Sequence, residues 1–299
     1  MKTAHKKQNT NCEGGNVMSG WRTVISAPVK GAIYGDIIGS AFEFEPIHSK
    51  KFRLISEKSR FTDDTVMTLA IAKAVMESAE DYSDLSEQAV YWMQKLGRKY
   101  PDGDYGGRFL DWIFSQNPKP YNSYGNGAAM RVSPVGAIAG SVEEAKKLSR
   151  MVTEVTHNHP QGIKGAEVTA VSVFMAFDGG RKAKREISDY LEANYPDIRG
   201  IYENGGLQET YVWNETCQGS VPESIQCFLE SLDYEDAIRN CVLLGGDADT
   251  MGAIAGAIAG AYYGAKLSSD EPLELLTSEL REIYEEWKWF FLTHKSRKH

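Results

Sequence analysis

The stretch Gly245-Gly246-Asp247-Ala248-Asp249-Thr250 sets two carboxylates one residue apart and follows them with a hydroxyl. Behind it runs Gly252-Ala253-Ile254-Ala255-Gly256-Ala257-Ile258-Ala259-Gly260. That run is too small-sided to shield a charge and too apolar to solvate one. Acids at its mouth need a counter-charge, and hard divalent cations take carboxylate and hydroxyl oxygens. Asp and Thr also cap helices, so this stretch alone leaves both roles open. A second cluster, Thr62-Asp63-Asp64-Thr65, repeats the pattern at the start of another helical segment. With Glu43, the two mouths would gather five carboxylates: Glu43, Asp63, Asp64, Asp247 and Asp249. At roughly 4 Å and an effective dielectric of about 20, each pair would repel by about 4 kcal/mol. Such a group protonates or holds metal. Two divalent ions would neutralise most of it, and an oxygen-only ligand set favours Mg²⁺ or Mn²⁺. A binuclear centre can orient vicinal hydroxyls of a sugar and polarise a water. Glu43 could then act as acid or base in glycosidic cleavage.

Other stretches could serve the same chemistry. Tyr124-Gly125-Asn126-Gly127-Ala128-Ala129-Met130-Arg131 is a Gly-rich loop entering a helix, whose free N–H groups suit an anion such as phosphate. A tight turn would use the same glycines. Arg131 is expected to pair with a core acid. In Thr156-His157-Asn158-His159 the two imidazoles invite a metal, but an oxygen-seeking ion would not select them. One histidine is expected to donate to substrate and the other to be structural. Tyr202, Tyr211 and Trp213 lie in an irregular stretch and either stack a base or pin the loop.

Helices must position these residues. Glycines recur at 31, 35 and 39 within an apolar segment from Lys30 to Phe44, which predicts a buried helix with one close-packing face. Asp36 and Glu43 are the acids on it. Thr62 is expected to cap a helix to about Glu80, with Asp63 and Asp64 in its first turn. Amphipathic helices are predicted over Ser83–Lys99, Ser141–Glu154, Gly162–Phe177, Pro222–Ser231 and Tyr234–Leu244, with one or two more from Glu271 onward. No period-2 run rich in β-branched residues competes with them, so the expected fold is all-α. No linker divides the chain. The domain reading is a flexible arm at residues 1–26 and one compact orthogonal helical domain at 27–299.

The 299 residues, 42% hydrophobic and 25% charged, fit a globular protein with a full core. A net charge of -8 argues against a nucleic-acid backbone or an anionic membrane as the main partner. Cys12, Cys217, Cys227 and Cys241 form no C-x-x-C pair and are read as free thiols. The polar stretch after Lys7 offers no apolar signal region, so a cytoplasmic location is expected.

The ordered set of motifs resembles the ADP-ribosylglycohydrolase family. The matching pieces are Gly35-Asp36-Ile37-Ile38-Gly39 with Glu43, Thr62-Asp63-Asp64-Thr65, Gly125-Asn126-Gly127-Ala128-Ala129-Met130-Arg131, Thr156-His157, and Gly246-Asp247-Ala248-Asp249-Thr250 with Gly252. The resemblance implies an all-α fold and a binuclear Mg²⁺ or Mn²⁺ centre held by Thr62, Asp63, Asp64, Asp247, Asp249 and Thr250. It implies catalytic parts for Glu43, Asp63 and Asp64, and a structural part for Asp36. By the same resemblance Asn126, Gly127, Ala128, Met130 and His157 would hold the diphosphate of ADP-ribose. The reaction would be hydrolysis of the bond between ribose and an acceptor, most simply a modified protein side chain. Residues 178–220 match no motif, so arginine-, serine- and nucleic-acid-linked acceptors stay open, the last not favoured. The alternative is an idle or partner-blocking member that meets an ADP-ribosylating toxin through the N-terminal arm.

Overall fold

A computed structural model describes residues 27–47, 49–266 and 271–295. The expected arm at 1–26 lies outside the described residues, as does Cys12. The first described helix, α1, is Ala27–Gly39. Next come α2 (Asp63–Glu77), α3 (Leu85–Lys99) and α4 (Gly107–Phe114). A 3₁₀ turn at Asn126–Ala128 leads to α5 (Ser133–Ile138) and α6 (Val142–Thr153). Then follow α7 (Pro160–Asp178), α8 (Ala183–Asn194), α9 (Leu207–Thr210) and α10 (Cys217–Leu229). The last are α11 (Tyr234–Leu244), α12 (Ala248–Tyr263), α13 (Glu271–Glu274) and α14 (Ser278–Lys295). Among the described residues there is no strand, only one isolated antiparallel bridge between Gly125 and Thr216. The all-α expectation holds.

The glycine spacing in α1 finds its partner in α12. A Cβ on Gly35 would stand 1.9 Å from the Gly252 carbonyl oxygen, and one on Gly31 would stand 2.1 Å from that of Gly256. One on Gly39 would stand 2.2 Å from that of Ala248. The two helices therefore run antiparallel with backbones in contact, and no residue larger than glycine fits at positions 31, 35 and 39. Both are buried along nearly their whole length. This pairing carries the start of α12, with its two acids, to the end of α1. The start of α2 is tied to the same place through Asp36.

Three expectations need correction. Helix α1 stops at Gly39 rather than running to Phe44, so Glu43 stands on a turn beyond it. The chain turns where Ser40 Oγ accepts the Arg60 amide at 3.1 Å, which ties the turn to the approach into α2. Helix α10 begins at Cys217, five residues before the expected start at Pro222, and carries the proline inside it. At the sixth helical position the proline removes one hydrogen bond and crowds the Gln218 carbonyl, and the fully buried Cys217, Val221 and Ile225 hold the helix in place. Arg131 pairs with no acid, as described below.

Candidate metal centre and cavity

Asp36 organises the acidic site from beneath. It is fully buried and accepts four hydrogen bonds, from the Thr62 amide at 3.0 Å, Thr62 Oγ1 at 2.8 Å, the Thr65 amide at 3.1 Å and Thr65 Oγ1. Those bonds fix the first turn of α2. Thr62 also caps that helix, its hydroxyl accepting the Asp64 amide at 3.3 Å. Burial still outweighs the four bonds and pushes the Asp36 carboxyl up to about 6.

The carboxylates from the two sequence clusters meet. Oxygens of Asp36, Asp64 and Asp249 lie within 4.8 Å of one another, as do those of Glu43, Asp247 and Asp249. Asp249 thus belongs to two adjacent triads. Thr250 Oγ1, on α12, donates to Asp64 Oδ2, on α2, at 3.0 Å. Two successive glycines, Gly245 and Gly246, adopt φ of 75° and 76° to turn the chain from α11 into α12, where Asp247 sits at the cap. Asp63 lines the same cavity but belongs to neither triad.

The electrostatics fit a cation-binding group. Burial first, then neighbouring carboxylates, push Asp63, Asp64 and Asp249 well above the usual carboxylate range. Glu43 is raised to about 7 by burial, with Asp247 and Asp104 adding repulsion. Asp64 Oδ1 and Glu43 Oε2 are buried without any hydrogen-bond partner. Buried acceptors left unmet are costly, and a hard cation is the partner an all-oxygen cluster takes. Asp36 differs, because its oxygens are already occupied by Thr62 and Thr65.

Glu43, Asp63, Asp64, Asp247 and Asp249 line a cavity of about 590 Å³. Gly125, Gly127, Met130, Arg131 and His157 line it as well. The side-chain amide of Asn126 turns to the acids, donating to Asp247 Oδ2 at 2.6 Å. Ala128 is fully buried and not part of the wall. His157 Nδ1 lies 2.7 Å from Thr156 Oγ1, and burial together with Arg131 and Arg108 drives its pKa well down, so the ring is neutral. His159 instead caps α7, accepting the Gln161 amide at 3.1 Å. Arg131, expected to pair with an acid, is wholly buried and forms no ion pair among the described residues. Its guanidinium lies 5.5 Å over the Phe109 ring, with pKa lowered by burial to about 10, so it stays charged at neutral pH.

Of the three aromatics in the irregular stretch, only Trp213 reaches the cavity, beside Gly246. Tyr202 donates to Asn240 at 2.9 Å and pins the loop. Sequence reasoning missed Tyr105, Arg108, Phe109 and Glu215 on the cavity wall. Glu215 had a weak signal at best. Its backbone carbonyl accepts the Asn126 amide at 2.8 Å, a loop pairing that no periodicity marks.

The ADP-ribosylglycohydrolase family profile matches residues 27–292. The chain belongs to the ADP-ribosylglycohydrolase family. Among its relatives is the ADP-ribosylhydrolase ARH3 of Mus musculus, 26% identical, with 86% of this chain and 90% of that protein covered. The ADP-ribosyl-[dinitrogen reductase] glycohydrolase of Rhodospirillum rubrum is 27% identical over 78% of this chain and 83% of that protein. A solved structure described as an ADP-ribosylglycohydrolase-related protein complex superposes with a TM-score of 0.68 at 25% identity, covering 91% of this chain and 98% of its own. The helical architecture of the chain is thus that of a solved relative. Its buried acidic groups can hold metal ions. No helix among the described residues is long and apolar enough to cross a membrane.

Proposed function

We propose that this member of the family hydrolyses the N- or O-glycosidic bond between ADP-ribose and an acceptor, a modified protein side chain, and releases ADP-ribose. The observation that carries the proposal is the pair of carboxylate triads sharing Asp249 within one cavity. Thr62, Asp63, Asp64, Asp247, Asp249 and Thr250 would hold two Mg²⁺ or Mn²⁺ ions. When bound, such ions supply charge neutralisation and polarise ribose hydroxyls and a water.

The chain's own residues do the rest. Asp36 keeps the first turn of α2 in register, so Asp63 and Asp64 face the cavity together. Glu43, with its carboxyl near the working pH and one oxygen unmet, is suited to carry a proton to or from the reacting bond. Asn126 steadies Asp247, and the Asn126–Met130 turn with His157 receives the diphosphate. The amides of Asn126, Ala128, Ala129 and Met130 already donate to backbone carbonyls, so the Gly127 amide and the neutral His157 N–H are the groups suited to donate to anionic oxygens. The buried and unpaired thiols of Cys217, Cys227 and Cys241 fit a cytoplasmic setting.

The test is release of ADP-ribose from arginine-, serine- and nucleotide-linked substrates with Mg²⁺ or Mn²⁺, beside an Asp63→Ala/Asp64→Ala double variant. Release should require both the ion and the acids. A double variant working at the wild-type rate would reject the site, and activity surviving a chelator would reject the ions. Removing residues 1–26 should leave release unchanged; a loss would put part of the site in that segment.

A further inference from the structure

Thr156 stands between a buried cation and the imidazole that lines the cavity. Arg131 Nη2 donates to Thr156 Oγ1 at 2.7 Å, and the same oxygen lies 2.7 Å from His157 Nδ1. A guanidinium has no lone pair, so the first bond has only one direction. The hydroxyl hydrogen then has two possible acceptors, His157 Nδ1 or the Thr153 carbonyl oxygen at 3.3 Å. That carbonyl already accepts the backbone amides of Thr156 at 3.1 Å and His157 at 2.9 Å. With both of its lone pairs engaged and the distance longer, it loses the hydroxyl to Nδ1. A neutral imidazole that accepts at Nδ1 carries its proton on Nε2. Nε2 faces the glycine turn, since a Cβ on Gly127 or Gly125 would stand 3.6 or 3.7 Å from it.

Arg131 gives the relay its direction. The side chain is completely buried, has no carboxylate partner, and leaves Nε and Nη1 without acceptors. An apolar residue stacked on Phe109 would fold at lower cost. Its single short bond is the one to Thr156; the other, to the Val152 carbonyl, is 3.4 Å. A charged donor on a hydroxyl strengthens the bond that hydroxyl gives onward.

We infer that Arg131 and Thr156 are positioning residues that lock His157 as its Nε2–H tautomer, so that the cavity presents one fixed, neutral N–H donor. The use of that donor against a diphosphate oxygen rests on the function proposed above. The tautomer itself does not.

The experiment is a long-range ¹H–¹⁵N correlation on the full-length ¹⁵N-labelled chain, with His157 assigned by its loss in His157→Gln. The wild type should show an unprotonated Nδ1 and a protonated Nε2. Thr156→Ser should keep that pattern, while Thr156→Val should give a mixture or the opposite tautomer. Arg131→Lys should hold the pattern and Arg131→Met should weaken it. Calorimetry with ADP-ribose and Mg²⁺ should find Thr156→Val about tenfold weaker, roughly 1.4 kcal/mol, with Thr156→Ser near wild type and ion-induced stabilisation unchanged. A wild-type Nδ1–H ring, or an unaltered tautomer in Thr156→Val, would overturn the inference. An unaltered tautomer in Arg131→Met would remove Arg131 from it. The expected tautomer in a protein that binds no ADP-ribose would uphold the relay and sink the proposed function.

Discussion

Thr250 and Asp64 are 186 positions apart, yet the Thr250 hydroxyl donates to an Asp64 carboxylate oxygen at 3.0 Å while the other oxygen of Asp64 is buried without a partner. One oxygen is held, and the other is the atom the proposed centre would offer to a cation. Asp64→Asn removes a charge that burial and Asp36 oppose, so the chelated protein should gain about 1–3 kcal/mol. The wild type should rise in unfolding temperature with Mg²⁺ or Mn²⁺, and the same change should erase that rise. Thr250→Val should weaken ion affinity about 10–100-fold, as loss of an orienting partner does. Thermal unfolding with chelator and with ion reads both; an Asp64→Asn protein still stabilised fully by the ion would exclude Asp64 as a ligand.

The seam between α1 and α12 sets how closely the acids approach. Gly35→Ala forces a methyl to within 1.9 Å of the Gly252 oxygen, where both partners are backbone and neither can swing away. Overpacking of this kind costs about 1–3 kcal/mol, and more when helices must separate. Separation also draws Asp249 away from Asp64. We expect Gly35→Ala to lose stability and ion response together. Gly107→Ala, where nothing lies within 4 Å of the new Cβ, should change stability little. Paired unfolding curves decide, and equal stability of the two variants would contradict the seam.

How far the sequence discloses this arrangement depends on what each feature needs. The glycines at 31, 35 and 39 announce a close helix contact because only backbone proximity requires that repeat. They do not say which helix comes close, since Gly252, Gly256 and Gly260 reveal the partner only once both are placed. The acids at Asp63, Asp64, Asp247 and Asp249 are legible because charge beside small apolar residues is anomalous wherever it occurs. The end of α1 at Gly39 is not, because the apolar run continues through Ala41 and Phe42 and the stop comes from Ser40 meeting Arg60 across the fold. Arg131 is misread for a related reason. A buried arginine ordinarily has an acid beside it, and here the partner is Thr156. The cavity residues Arg108 and Phe109 leave no trace, since an amphipathic helix needs both types in any case.

Glu223 offers a pH signature away from the acidic centre. Burial raises its carboxyl from the usual 4.5 to about 7, and its Oε2 has no partner. A carboxyl with a raised folded value binds its proton more readily when folded. Its contribution is therefore fully present below about 4.5 and is lost as pH climbs through about 7. Glu223→Gln keeps the neutral form at every pH. At about pH 8 it should be more stable than wild type by on the order of 3 kcal/mol, and the two should converge below about pH 4.5. Unfolding midpoints across that range test it; a constant difference would mean that Glu223 does not titrate there.

Glu43 separates proton transfer from ion binding. It stands beyond the end of α1, its carboxyl is raised to about 7, and it shares a triad with Asp247 and Asp249. If it carries the proton, Glu43→Gln should cut kcat about 10²–10⁴-fold while leaving ion-induced stabilisation near wild type, because the amide keeps shape and one oxygen but cannot exchange a proton at neutral pH. If it is chiefly a ligand, both should fall together, as they should for Asp249→Asn. Single-turnover rates at saturating ion, set beside an ion titration followed by unfolding temperature, resolve the two. Glu43 is on a turn with exposed Phe44 next to it, whereas Asp249 is locked in the first turn of a buried helix. A carboxyl raised to about 7 with one unmet oxygen suits proton transfer, so we expect the rate to fall for Glu43→Gln and the ion response to remain.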